Sequence, residues 1–137
     1  MPYELKESPE TVQLSVSAPN REELFHTVLT GVLAATYGEP LPEGTSEGRV
    51  VPVQAAGDDD VVLLEGLVGE ALRAIREEQG TLLPPRWLAF DVNRVTANLP
   101  LHPQKPSARR LEGCSTRVES GGKEWTAWLE FLPRTTE

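Results

Sequence analysis

From Thr11 to Ala18 the chain alternates, with Val12, Leu14, Val16 and Ala18 on one side and Thr11, Gln13, Ser15 and Ser17 on the other. A two-residue period of this kind predicts a strand with one buried and one wet face. Pro19 ends it. Asn20 followed by Glu23 has the spacing of a capping box, so a helix is expected to start there. Its apolar stripe is Leu24, Phe25, Val28, Leu29, Val32 and Ala35, and Gly38 is a natural stop.

The stretch 39–48 has the Pro, Gly and Ser content of a surface loop. A short β-prone run over 49–54 follows, and Pro52 confines it to a sheet edge or a bulge. A second helix is expected after Asp58, Asp59 and Asp60, whose carboxylates suit the positive end of the helix dipole. Its stripe is Leu64, Leu67, Val68, Ala71, Leu72 and Ile75. Gly66 and Gly69 weaken it by roughly 1 kcal/mol each relative to alanine, so packing has to hold it.

Beyond Gly80 and the Pro84-Pro85 break the pattern is β throughout. Leu88, Phe90 and Val92 alternate, a turn falls near Asn93, and Val95, Ala97, Leu99 and Leu101 form a second run. A Pro-rich loop over 101–107 leads to a strand over about 111–118. Ser120-Gly121-Gly122-Lys123 makes a strong hairpin turn before a last strand with Trp125, Ala127, Leu129 and Phe131 on its apolar face. The expected order is β-α-β-α-β-β-β-β in a single domain, 1–137. That is an α+β fold with two helices packed on a mostly antiparallel sheet.

Composition narrows the partners. At 137 residues the chain can bury an ordinary core. Thirteen Lys and Arg against 21 Asp and Glu leave a formal net charge of −8. Such a surface repels phosphate backbones, so direct nucleic-acid binding is not expected, and proteins, cations or basic surfaces are the better partners. Cys114 is the sole cysteine, which excludes an intrachain disulfide and Cys-rich zinc sites. With no apolar leader-like segment near Met1 and no membrane-length run, a cytoplasmic protein is expected.

Several segments in order resemble the archease family, accessory proteins of an RNA-splicing ligase. They are the opening Pro2-Tyr3-Glu4, Glu22-Glu23-Leu24-Phe25 after the alternating strand, Leu63-Leu64 followed by Glu70, and the terminal hairpin with its double glycine and Trp125. The resemblance implies an accessory protein without an active site of its own. It would assist a tRNA-splicing ligase in guanylylation and turnover by docking, with a divalent metal (calcium or similar) held by acids.

Those acids are not where the resemblance places them. The family's His-Thr-Ala-Asp run falls on Ser8-Pro9-Glu10-Thr11, so the Asp position is Thr11. The C-terminal Asp position is Leu132, and a family histidine falls at Cys114. Glu10 and Glu130 are the nearest acids and the only substitute metal ligands this alignment offers. A shift that used Glu10 would turn its side chain to the other face unless a bulge intervened. The family's basic residue is kept in kind at Arg109, followed by Arg110.

Each candidate has a plainer reading. Glu10 and Glu130 read more simply as solvated carboxylates, Cys114 as a small buried hydrophobe, and His26 and His102 as ordinary helix and loop residues. Arg109, Arg110 and Arg117 read as a charged strand face or as contacts for phosphate or an acidic partner. Trp128 shares parity with Thr126 and Glu130, not with Trp125 and Phe131, and would anchor an interface if exposed. No Gly-rich phosphate loop, Ser-His-Asp arrangement or HExxH pair is present. Two functions remain: a ligase accessory protein, or a diverged protein-binding module with neither metal site nor ligase activation.

Overall fold

The computed structural model describes residues 3–37, 49–78, 80–102, 110–121 and 123–134. The chain opens with a hairpin of β1 (Tyr3–Glu7) and β2 (Val12–Ala18), closed by the pair Glu7–Val12. Helix α1 (Arg21–Tyr37) follows. The Asn20 side-chain oxygen accepts from the Glu23 amide at 2.8 Å, which satisfies one of the unpaired donors of the first turn. All six stripe residues of this helix are buried, and so are Leu33, Ala34, Thr36 and Tyr37. Its C-terminal half is therefore enclosed on most sides.

Strand β3 (Val50–Ala56) leads to α2 (Asp60–Glu77), where Asp59 caps the helix by accepting from the Val62 amide at 2.9 Å. The remaining strands are β4 (Thr81–Leu82), β5 (Arg86–Phe90), β6 (Arg94–His102), β7 (Arg110–Gly121) and β8 (Glu124–Arg134). They form two antiparallel sheets. The first has the order β1-β2-β8-β7; in the second, β6 is flanked by β3 on one side and by β4 and β5 on the other. Pro52 thus sits on an edge strand, where its missing N–H costs no central ladder bond.

The α+β class is as expected, but the order is not. The described chain runs β-β-α-β-α-β-β-β-β-β. Strand β1 is added because Tyr3 and Leu5 pack on the core while Glu4 and Lys6 face out. The two-residue β4 is added because Thr81 and Leu82 pair with the end of β6. Val92 is not a strand residue: it lies in the β5–β6 turn and is 84% exposed. The helix stop expected at Gly38 and the loop stretches 39–48 and 103–107 lie outside the described residues.

Helix α1 packs on β1, β2 and β8, whereas α2 packs on β7 of the first sheet and on β3 and β6 of the second. The second helix therefore joins the two sheets, with Gly66 facing Ala55 of β3. One continuous core results. Phe25, Leu29, Leu64, Leu67, Leu99, Leu129 and Phe131 are all fully buried within it. The opposite face of the β1-β2-β8-β7 sheet points away from this core, and that wet face carries Arg117, Trp128 and Glu130.

Candidate functional site

The register of the first sheet places the candidates in rows. Gln13 pairs with Glu130, which pairs with Ser115 on the far side. One row over, Ser15 pairs with Trp128, and Trp128 with Arg117. The side chains of both rows emerge on the outer face, because their neighbours Leu14, Ala127 and Leu129 are buried on the inner one. Together Gln13, Ser15, Ser115, Arg117, Trp128 and Glu130 line a shallow groove of about 310 Å³.

Two contacts organise it. The Gln13 amide nitrogen donates to Glu130 Oε2 at 3.0 Å, which orients that carboxylate across the strand pair. The Arg117 guanidinium lies over the Trp128 ring, 4.8 Å from its centroid, and donates to Glu119 Oε1 at 2.9 Å. A guanidinium over an indole face is held by the ring quadrupole. Trp128 is half-buried, so one aromatic body is offered among the polar side chains of these two rows.

The metal positions implied by the resemblance fall in the adjoining row. Val12 pairs with Phe131, so Thr11 stands one step further, level with Leu132; Leu132 in turn pairs with Glu112 of β7. Thr11 is committed locally. Its amide donates to Ser8 Oγ at 3.1 Å, the two hydroxyls are 3.2 Å apart, and the Ser8 amide donates to the Thr11 carbonyl at 2.9 Å. Leu132 is an exposed apolar side chain, 49% accessible. A calcium-like ion wants six to eight oxygens, several of them carboxylate. A hydroxyl already bonded, a leucine and the single carboxylate of Glu112 do not fit it.

The substitute ligands are not brought together. Glu10 is exposed at the tip of the β1–β2 hairpin, before the strand begins. Glu130 lies in the Gln13 row and is bonded there. Among the described residues, no group of three or more His, Cys, Asp or Glu side chains is positioned to hold a metal ion. Cys114 pairs through its backbone with Phe131, beyond a register shift between Glu112 and Cys114. The side chains of Arg110 and Cys114, and the whole of Arg109, lie outside the described residues.

Glu70, the acid of the second-helix segment singled out in the sequence, has a local role. Arg73 donates to both its oxygens, at 2.9 and 3.0 Å, and holds the carboxyl below its usual range. His26 sits within α1, and His102 ends β6 opposite Thr81.

Sequence reasoning missed Glu112 as the neighbour of Leu132, and the stacking of Arg117 on Trp128. The second could have been found by counting back from the glycine turn, since Gly121 pairs with Glu124 and the pairs run regularly to Arg117–Trp128.

No protein-family model matches the chain, and no curated protein matches it. Among the described residues no helix is long and apolar enough to cross a membrane.

Proposed function

We propose that this chain is an archease-like, cytoplasmic accessory protein that works by docking a partner protein on the outer face of its β1-β2-β8-β7 sheet, with no divalent-metal contribution of the family type. The observation that carries this is the contrast between adjoining rows. The Thr11–Leu132–Glu112 row lacks the oxygen set for a hard cation. The rows beside it present a half-buried indole flanked by a guanidinium and an oriented carboxylate. An aromatic side chain at the centre of a patch, with polar groups around it, is a usual anchor of protein interfaces.

A second form keeps the full accessory role, in which the docked partner is an RNA ligase whose guanylylation and turnover are assisted. Two observations favour it: the segments that resemble the family, on β1, α1, α2 and the β7–β8 hairpin, each pack a residue into or against one core, and β7 places one carboxylate, Glu112, in the Thr11–Leu132 row. Purified tRNA-splicing ligase separates the two. Faster multiple-turnover ligation at stoichiometric addition supports the ligase role, and no rate change sinks it. Docking on this face is tested with whichever purified partner binds. Trp128→Ala should weaken that complex, and unchanged affinity would sink the docking proposal.

A further inference from the structure

The outer-face groove has a chemistry of its own that specifies what it receives. Trp128 already has a cation over its ring, supplied in cis by Arg117. Beside it Glu130 uses Oε2 for the Gln13 amide and keeps Oε1 without a hydrogen-bond donor among the described residues. In the Trp128 row, Glu4 is an exposed acid across Ser15. An indole face next to an acceptor oxygen is a site for a guanidinium or an ammonium group.

Resting on the docking proposal, we infer that the groove receives a basic side chain, arginine or lysine, from a partner protein, and that Arg117 is the internal competitor holding its place. Charge decides against an acidic partner. The chain carries a formal net charge of −8, and the one cation lining the groove is already committed to Trp128 and Glu119. An acidic segment would have to strip Arg117 from both. A basic segment needs Arg117 only to swing off the ring, and its side chain is 69% exposed with Glu119 at 2.9 Å to receive it. Exposed pairs of that kind are held weakly, so the displacement costs little. The incoming cation then meets the ring and the Glu130 carboxylate, while the surrounding negative field speeds encounter.

The test uses the whole chain and two blocked peptides, one alternating serine and arginine, the other serine and glutamate, titrated at physiological salt with the Trp128 indole followed by NMR. The arginine peptide should bind saturably and move the Trp128 indole signal. Glu130→Gln should weaken it about two- to fivefold, and Arg117→Ala should strengthen it by a similar factor, the size of an exposed cation–π contact. Trp128→Leu leaves the net charge unchanged, so equal affinity in that variant would mean diffuse attraction and would overturn the inference. Weaker binding in Arg117→Ala, preference for the glutamate peptide, or no saturable binding would overturn it too. A protein partner that is lost in Trp128→Leu, with no affinity for the arginine peptide, would overturn the basic chemistry while leaving the docking face intact.

Discussion

Arg21, in the first turn of α1, donates through Nε to Asp60 Oδ1 of α2 at 2.7 Å, and its other two nitrogens donate to the Asp91 and Val92 carbonyls at 3.0 and 2.9 Å. The same guanidinium lies over the rings of Phe25 and Phe90, 5.1 and 4.8 Å from their centroids. One side chain therefore ties the start of each helix to the β5–β6 turn. Only arginine has the planar fork that serves three acceptors and two ring faces at once. Arg21→Ala should cost about 2 kcal/mol, in the range of hydrogen bonds to charged groups. With an m-value of roughly 2 kcal/mol/M, the urea midpoint should fall by about 1 M. Arg21→Lys should lose most of the same stability. A fall of less than about 0.3 M in either variant would show that the junction is held by other contacts.

Gly31 is where α1 meets β2. A Cβ there would stand 2.7 Å from Leu14 Cδ1 and 3.0 Å from Cδ2, and Leu14 is fully buried. Overpacking of this kind costs about 1–3 kcal/mol, against roughly 1 kcal/mol gained in helix propensity. Gly31→Ala should therefore lower stability, while Gly69→Ala, with no atom within 4 Å of its Cβ, should raise it by about 1 kcal/mol. Thermal melts of the two variants give the signs. Stabilisation by both would mean that Leu14 yields.

Tyr37 links the end of α1 to β4, its hydroxyl accepting from the Leu82 amide at 3.3 Å. Burial raises its pKa above the ordinary 10.0, and the Leu82 bond offsets only part of that. Because the folded-state pKa is the higher one, the unfolded chain releases this proton first. The tyrosine's contribution is intact below about pH 10 and is lost as pH rises through the folded pKa. Wild type should lose more stability than Tyr37→Phe between pH 8 and pH 11 in urea titrations. At pH 8 the phenylalanine variant should be weaker by about 1–2 kcal/mol, since a buried amide loses its acceptor. Identical slopes for the two proteins would contradict the burial assigned to this hydroxyl.

The β2 strand was legible because its alternation is unbroken, and both helix starts because Asn20 and Asp59 cap by side-chain chemistry that the sequence displays. Strand β1 was not: five residues with two apolar side chains give too short a period, and the pairing with β2 supplies the rest of its stability. The division into two sheets was invisible for a similar reason, since which strands pair depends on long-range contacts and not on local pattern. Around the groove, Trp128 was placed on the outer face by parity alone. Glu112 was lost to the bulge. From the glycine turn to Cys114 the β7–β8 count is regular, and the shift between Glu112 and Cys114 then brings Glu112 opposite Leu132. No feature of the sequence marks that extra residue except Gly113 itself.

On the archease-like reading proposed above, fold and mechanism part at the Thr11–Leu132 row, and metal binding is the property that distinguishes them. Calorimetric titration of the whole chain with calcium, magnesium and manganese measures it directly. The expected result is no binding in the micromolar range for any of the three, because Thr11 is bonded to Ser8, Leu132 has no donor oxygen and Glu130 is held by Gln13. Micromolar binding that disappears in Glu10→Ala, or in Glu112→Gln, would show that the hairpin tip or β7 supplies a metal site, and would contradict docking without a metal.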